Sequence, residues 1–83
     1  MEHKKISIIG NILFNEAIPS TGMRNCDFAA KLGISRTHLY DICRGDRRLT
    51  WKVAKRLGEI TDKPAREWLA MQADQDLAEP RHA

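Results

Sequence analysis

Apolar residues fall in short bursts at helical spacing, and turn-forming residues separate the bursts. Over Ser7 to Ala17, Ile9, Ile12 and Leu13 share one face, with Ile8 beside them. Over Asn25 to Leu32, Phe28, Ala29 and Leu32 line one stripe, and Gly33 stops it. A third segment starts at Ser35, a good N-cap, buries Leu39 and Ile42, and ends at Gly45. A fourth follows Thr50, another N-cap, with Val53, Ala54, Leu57 and Ile60 as its apolar face. A fifth starts near Pro64, which suits a first helical turn, and repeats through Trp68, Leu69 and then Met71 or Gln72. Pro19-Ser20-Thr21-Gly22 is read as a break, and from about Asp74 the pattern fades. Little alternation and no hairpin-type turn argue for a strand. The pattern predicts an all-α fold: a compact five-helix domain over residues 1–77, with a flexible tail over 78–83.

The second and third segments are joined only by Gly33-Ile34, so two short helices must cross steeply. Ala29 is small where the two backbones approach. Gly33 can take the positive φ that such a turn requires. Ile34 can plug the angle, and Leu39 and Ile42 face the preceding helix. These demands together are those of a helix-turn-helix, whose second helix places its first turn in the major groove of DNA.

With Leu39 and Ile42 inward, Arg36, Thr37, Tyr40 and Asp41 can face outward as base-reading candidates. Arg36 offers two donors to a guanine edge, and Thr37 suits a base edge or a thymine methyl. Tyr40 has the alternative of packing at the rim. Asp41 either accepts from a cytosine amino group or holds Arg44 or Arg36 in place. Phosphate-contact candidates are Asn25, Ser35 at the helix N-terminus, His38 to the side, and a clamp of Arg44, Arg47, Arg48 and Lys52.

Charge sharpens this picture. The 83-residue chain carries a net charge of +3, but residues 36–58 hold seven basic and two acidic residues, whereas residues 59–83 hold three basic and six acidic. A basic block followed by an acidic tail points to a polyanion for the middle of the chain. The length fits one small domain without room for a deep substrate cleft. "MEHKKISIIGNILF" has two lysines before an apolar run, but Gly10, Asn11 and Asn15 interrupt that run, so it is not read as a signal peptide. No stretch approaches a membrane span, and a cytoplasmic location is expected.

From Gly10 to Leu77 the chain resembles the XRE-type, lambda-repressor-like helix-turn-helix proteins, and within them the HigA/VapI-type antitoxins. "GNILFNEAI" stands at their first helix, "FAAKLGISRTHLYDICRGDRRLT" at their helix-turn-helix and following loop, "KVAKRLGEI" at their fourth helix, and "REWLAMQADQDL" at their ending. The sequence departs from the pattern at Arg24-Asn25, at Trp51 and at Gly58. The resemblance implies a homodimer that binds a palindromic double-stranded operator and represses its own operon. In the antitoxin version it also binds a toxin protein. It implies dimer or partner contacts around Trp68, Leu69 and Met71.

Other classes fit less well. Cys26 and Cys43 lack CxxC spacing and the histidines are scattered, so no metal or cofactor is expected. No paired carboxylates, catalytic triad or glycine-rich phosphate loop supports an enzyme; Cys43 with His38 and Asp46 is a poor nucleophile site. The competing reading is a protein-interaction module that sequesters a partner without significant DNA binding. Trp51 and Trp68 read as packing residues or interface anchors.

Overall fold

In the computed structural model, residues 6–78 are described, and all of their regular structure is helical. Ser7 caps the first helix: its backbone is extended, and its Oγ accepts from Gly10 N at 3.0 Å. Ile8–Ile12 is α-helical, Leu13–Ala17 is a π turn, and Ile18–Thr21 is α-helical again. The three run on without a break and are called α1. α2 spans Asn25–Leu32, α3 Arg36–Arg44, α4 Trp51–Ile60 and α5 Ala65–Ala78. Gly22, Gly33 and Gly45 close α1, α2 and α3 with φ of 74°, 77° and 83°.

Two boundaries differ from the sequence reading. The sequence pattern puts a break at Pro19, yet α1 continues through it to Thr21. A proline in a helix removes its own N–H and crowds the carbonyl four residues back, here that of Asn15. The π turn lies just before Pro19 and shifts the Ile18 N–H onto Leu13 O, five residues back. The local widening lets the chain pass Pro19 without ending the helix. At the other end α5 does not fade at Asp74 but runs to Ala78, because Gln72 and Gln75 are buried. The tail expected over 78–83 lies outside the described residues, apart from Ala78, which closes α5.

Ile9, Leu13, Phe28, Leu32, Leu39, Ile42, Leu57 and Trp68 meet in one core drawn from all five helices. Trp68 lies at its base, fully buried, and its Nε1 donates to Lys63 O at 3.1 Å. Burying a large indole with its N–H satisfied removes much apolar area from water without leaving a polar atom stranded.

The core fixes α3 most firmly at its C-terminal end. Ser7 N and Ser7 Oγ donate to Cys43 O at 2.8 and 2.9 Å, supplying donors for a helix-end carbonyl. Gly10 sits directly against that carbonyl: a Cβ there would lie 2.2 Å from Cys43 O. Only glycine permits this approach of α1 to α3. Two glutamines of α5 tie in the rest. Gln75 Oε1 accepts from Ile9 N at 3.1 Å, and Gln72 Oε1 accepts from Leu49 N at 2.8 Å. Each amide satisfies a backbone donor that would otherwise be buried without a partner.

Candidate nucleic-acid interface

The turn between α2 and α3 is a Schellman motif. Gly33 N donates to Ala30 O at 3.0 Å and Ile34 N to Ala29 O at 3.1 Å. Gly33 takes the left-handed conformation, where a side chain would be strained. Ser35 then caps α3, with its Oγ accepting from His38 N at 3.0 Å. Leu39 and Ile42 are buried against the core, so the opposite face of α3 is turned outward. Local chemistry thus sets where α3 starts, and the core sets which face it shows.

On that outward face Ser35, Arg36 and Thr37 are exposed. Among the described residues the Arg36 side chain has no ion-pair or hydrogen-bond partner. His38 is half-buried beside them. Desolvation and the Arg47 guanidinium hold its pKa below the ordinary imidazole value, against the opposing pull of Asp41. The neutral form therefore prevails at neutral pH.

Tyr40 takes the rim-packing alternative, and Asn25 is tied to it. Asn25 Nδ2 donates to Tyr40 Oη at 3.2 Å, and the Tyr40 ring packs tilted against Phe14 with centroids 6.4 Å apart. Both side chains are half-buried and join α2 to α3, because a phenol ring gains more from apolar contact than from water. Of the two roles open to Asp41, the geometry is that of the holder. Its carboxylate pairs with Arg44 and lies 3.9 Å from Arg47, while its carbonyl accepts from Asp46 N and Arg47 N.

The basic cluster is therefore not a bare clamp. Arg44 is gripped by Asp41 and, at 3.1 Å, by Asp46. Arg48 pairs with Asp76 of α5, whose other carboxylate oxygen accepts from Gln72 Nε2 at 3.0 Å. Lys52 is exposed on the first turn of α4. Guanidiniums held this way are aimed by their carboxylates, and a phosphate must compete with those carboxylates to reach them.

Of the three expected partner contacts of the last helix, Trp68 needs correction. Trp68 is fully buried and offers no surface to a partner, because its ring fills the base of the core. Leu69 and Met71 are half-buried and pack against that core. The exposed tryptophan is Trp51, 61% exposed at the start of α4; Ile6, Ile8 and Leu77 are the other large exposed apolar residues. Composition alone does not tell the two tryptophans apart, but Trp51 stands next to an N-cap and Lys52 while Trp68 lies in an apolar repeat.

Cys43 is buried, and burial pushes its thiol up to about 12, so it stays protonated and packs as an apolar group. Among the described residues no cluster of three or more His, Cys, Asp or Glu is placed to hold a metal ion, and no helix is long and apolar enough to cross a membrane. Comparison with protein-family models, curated proteins and solved structures finds no match to the chain.

Proposed function

We propose that the chain is a sequence-specific double-stranded DNA-binding protein that represses transcription, with the first turn of α3 in the major groove. One observation carries this reading: Arg36 and Thr37 stand exposed on the first turn of α3, whose opposite face, at Leu39 and Ile42, is locked into the core. Arg36 reads a guanine by two donors, and Thr37 touches the neighbouring base. Ser35 and His38 flank this turn in sequence, Arg44, Arg47, Arg48 and Lys52 follow it, and together they supply phosphate contacts. The chain acts as a homodimer on a palindromic operator upstream of its own gene, in the cytoplasm, and pairs with a toxin protein as antitoxins of the resembled family do.

A second reading is a protein-interaction module that sequesters its partner. The carboxylates that engage Arg44, Arg47 and Arg48, and the exposed Ile6, Ile8 and Leu77, favour it. Fluorescence anisotropy separates the two. The protein is titrated onto a labelled duplex from upstream of its gene and onto a scrambled duplex, each at two salt concentrations. Tighter binding to the upstream duplex, weakening as salt rises, supports the repressor. Absence of binding to either duplex, with a toxin co-purifying, supports sequestration.

A further inference from the structure

Trp51 is the largest side chain left in solvent, and it stands among cations. It lies at the first position of α4; Lys52 follows it, and Lys55 lies one turn along the same face. All three are exposed, and among the described residues neither lysine has an ion-pair partner. Arg47 and Arg48, also exposed, precede them in the loop, Arg47 near Asp41 and Arg48 paired with Asp76. The acidic residue on the exposed side of α4 is Glu59, two turns beyond Trp51. The indole is 61% exposed and takes no part in the buried core, which holds Trp68 instead.

A large apolar ring in water is unfavourable unless something covers it. The surrounding charge selects what does. A second copy meeting this face through a two-fold axis would set Lys52 and Lys55 against their own counterparts, which like-charge repulsion opposes. A polyanion with apolar surface between its charges fits both features. The backbone of duplex DNA is such a ligand: phosphates alternate with deoxyribose rings. An indole suits it, with a flat apolar face for the sugar and one N–H donor for a phosphate oxygen.

We propose that Trp51 is a contact to the sugar–phosphate backbone of duplex DNA, its ring against deoxyribose and its Nε1–H on a phosphate, with Lys52 and Lys55 neutralising the phosphates on either side. This rests on the duplex-binding reading above and adds a surface outside the first turn of α3. Since the backbone carries no sequence, Trp51 contributes to affinity and leaves the choice among sequences to Arg36.

The two tryptophans make the test direct. Trp68 is buried with its N–H bonded within the protein, so emission that responds to an added ligand belongs to Trp51. Unlabelled duplex should shift the emission of the intact chain to shorter wavelength and protect it from acrylamide. Trp51→Phe should abolish both responses while retaining the Trp68 signal. In anisotropy with labelled duplexes, Trp51→Ala should weaken the upstream and the scrambled duplex alike, by about fivefold, with an unchanged ratio between them. Its thermal melt should match that of the unaltered chain, because the side chain lies outside the core. Binding of both duplexes by Trp51→Ala at unaltered affinity would overturn the proposal and leave the repressor reading standing. So would duplex saturation with no change in emission, or a changed ratio between duplexes. No binding of any duplex by the unaltered chain would overturn both.

Discussion

The two ends of α3 are built on opposite terms. At the N-terminal end Arg36 and Thr37 project into solvent, and Arg36 has no partner among the described residues. At the C-terminal end the helix is bound from several sides. Ser7 caps the Cys43 carbonyl, Gly10 lets α1 close on it, and Asp41 and Asp46 grip Arg44. A helix that must offer a few groups with fixed geometry needs one end immobile and the other bare. Rigid placement lowers the ordering that binding would otherwise demand, and bare donors leave hydrogen-bonding capacity for the ligand.

The contrast can be broken at the anchored end first. Gly10→Ala drives a methyl group into Cys43 O, so α1 and α3 must separate. A loss of about 3 kcal/mol is expected, read as a lower denaturant midpoint. Duplex binding of whatever fraction stays folded should weaken for all sequences. If Gly10→Ala melts like the unaltered chain, the close approach is not what anchors α3.

The bare end comes next. Arg36→Ala should leave stability within about 0.5 kcal/mol, because the side chain is solvated. It should lower the preference for the upstream duplex by roughly 1–3 kcal/mol in anisotropy competition. Retained preference would move the base-reading role away from the first turn of α3.

Beyond the anchored end stands Arg48, whose carboxylate partner is 28 residues away in sequence. Asp76→Asn frees this guanidinium for phosphate. Affinity for scrambled duplex should rise a few-fold, because the phosphate contact of Arg48 no longer competes with a carboxylate. Weaker binding would mean instead that Asp76 aims Arg48 at the duplex.

The smallest effect concerns pH at His38. Its folded pKa lies below the ordinary value of 6.5, so the folded state binds fewer protons than the unfolded chain. Stability is unpenalised above about pH 6.5 and falls as acid charges the imidazole beside Arg47, Asp41 opposing the change. His38→Gln should shrink the drop in melting temperature between pH 7.5 and 5. An unchanged drop would assign it to the carboxylates instead.

What the sequence disclosed follows from the range of the interactions involved. The starts of α3 and α4 were legible because Ser35 and Thr50 bond backbone groups three residues away. The turn at Gly33 was legible for the same reason, since its bonds close within five residues. The passage through Pro19 was not, because a shift from four-residue to five-residue hydrogen bonding leaves hydrophobic spacing nearly unchanged. Gln72 reads as part of the repeating face, but Gln75 lies where the pattern fades, since hydropathy treats an amide as a surface group. Their partners, Leu49 and Ile9, lie 23 and 66 residues away. The candidate site divided in the same way. Exposure of Arg36 and Thr37 followed from the helical period, whereas the pairing of Asn25 with Tyr40 and of Arg48 with Asp76 depends on tertiary packing.

The two glutamines of α5 also bear on modularity. The pair of helices over residues 25–44 looks like a detachable unit, with the last helix as an accessory. Yet a chain clipped between Leu69 and Gln72 would leave the N–H groups of Ile9 and Leu49 without their acceptors. Each stranded buried donor costs roughly 1–3 kcal/mol, a large share of what holds a domain of this size together. A protease that nicks α5 would therefore do more than trim an appendage. It would loosen α1 and the basic loop together, so a single cut in α5 would unsettle elements far from it in sequence and hand the whole chain to degradation.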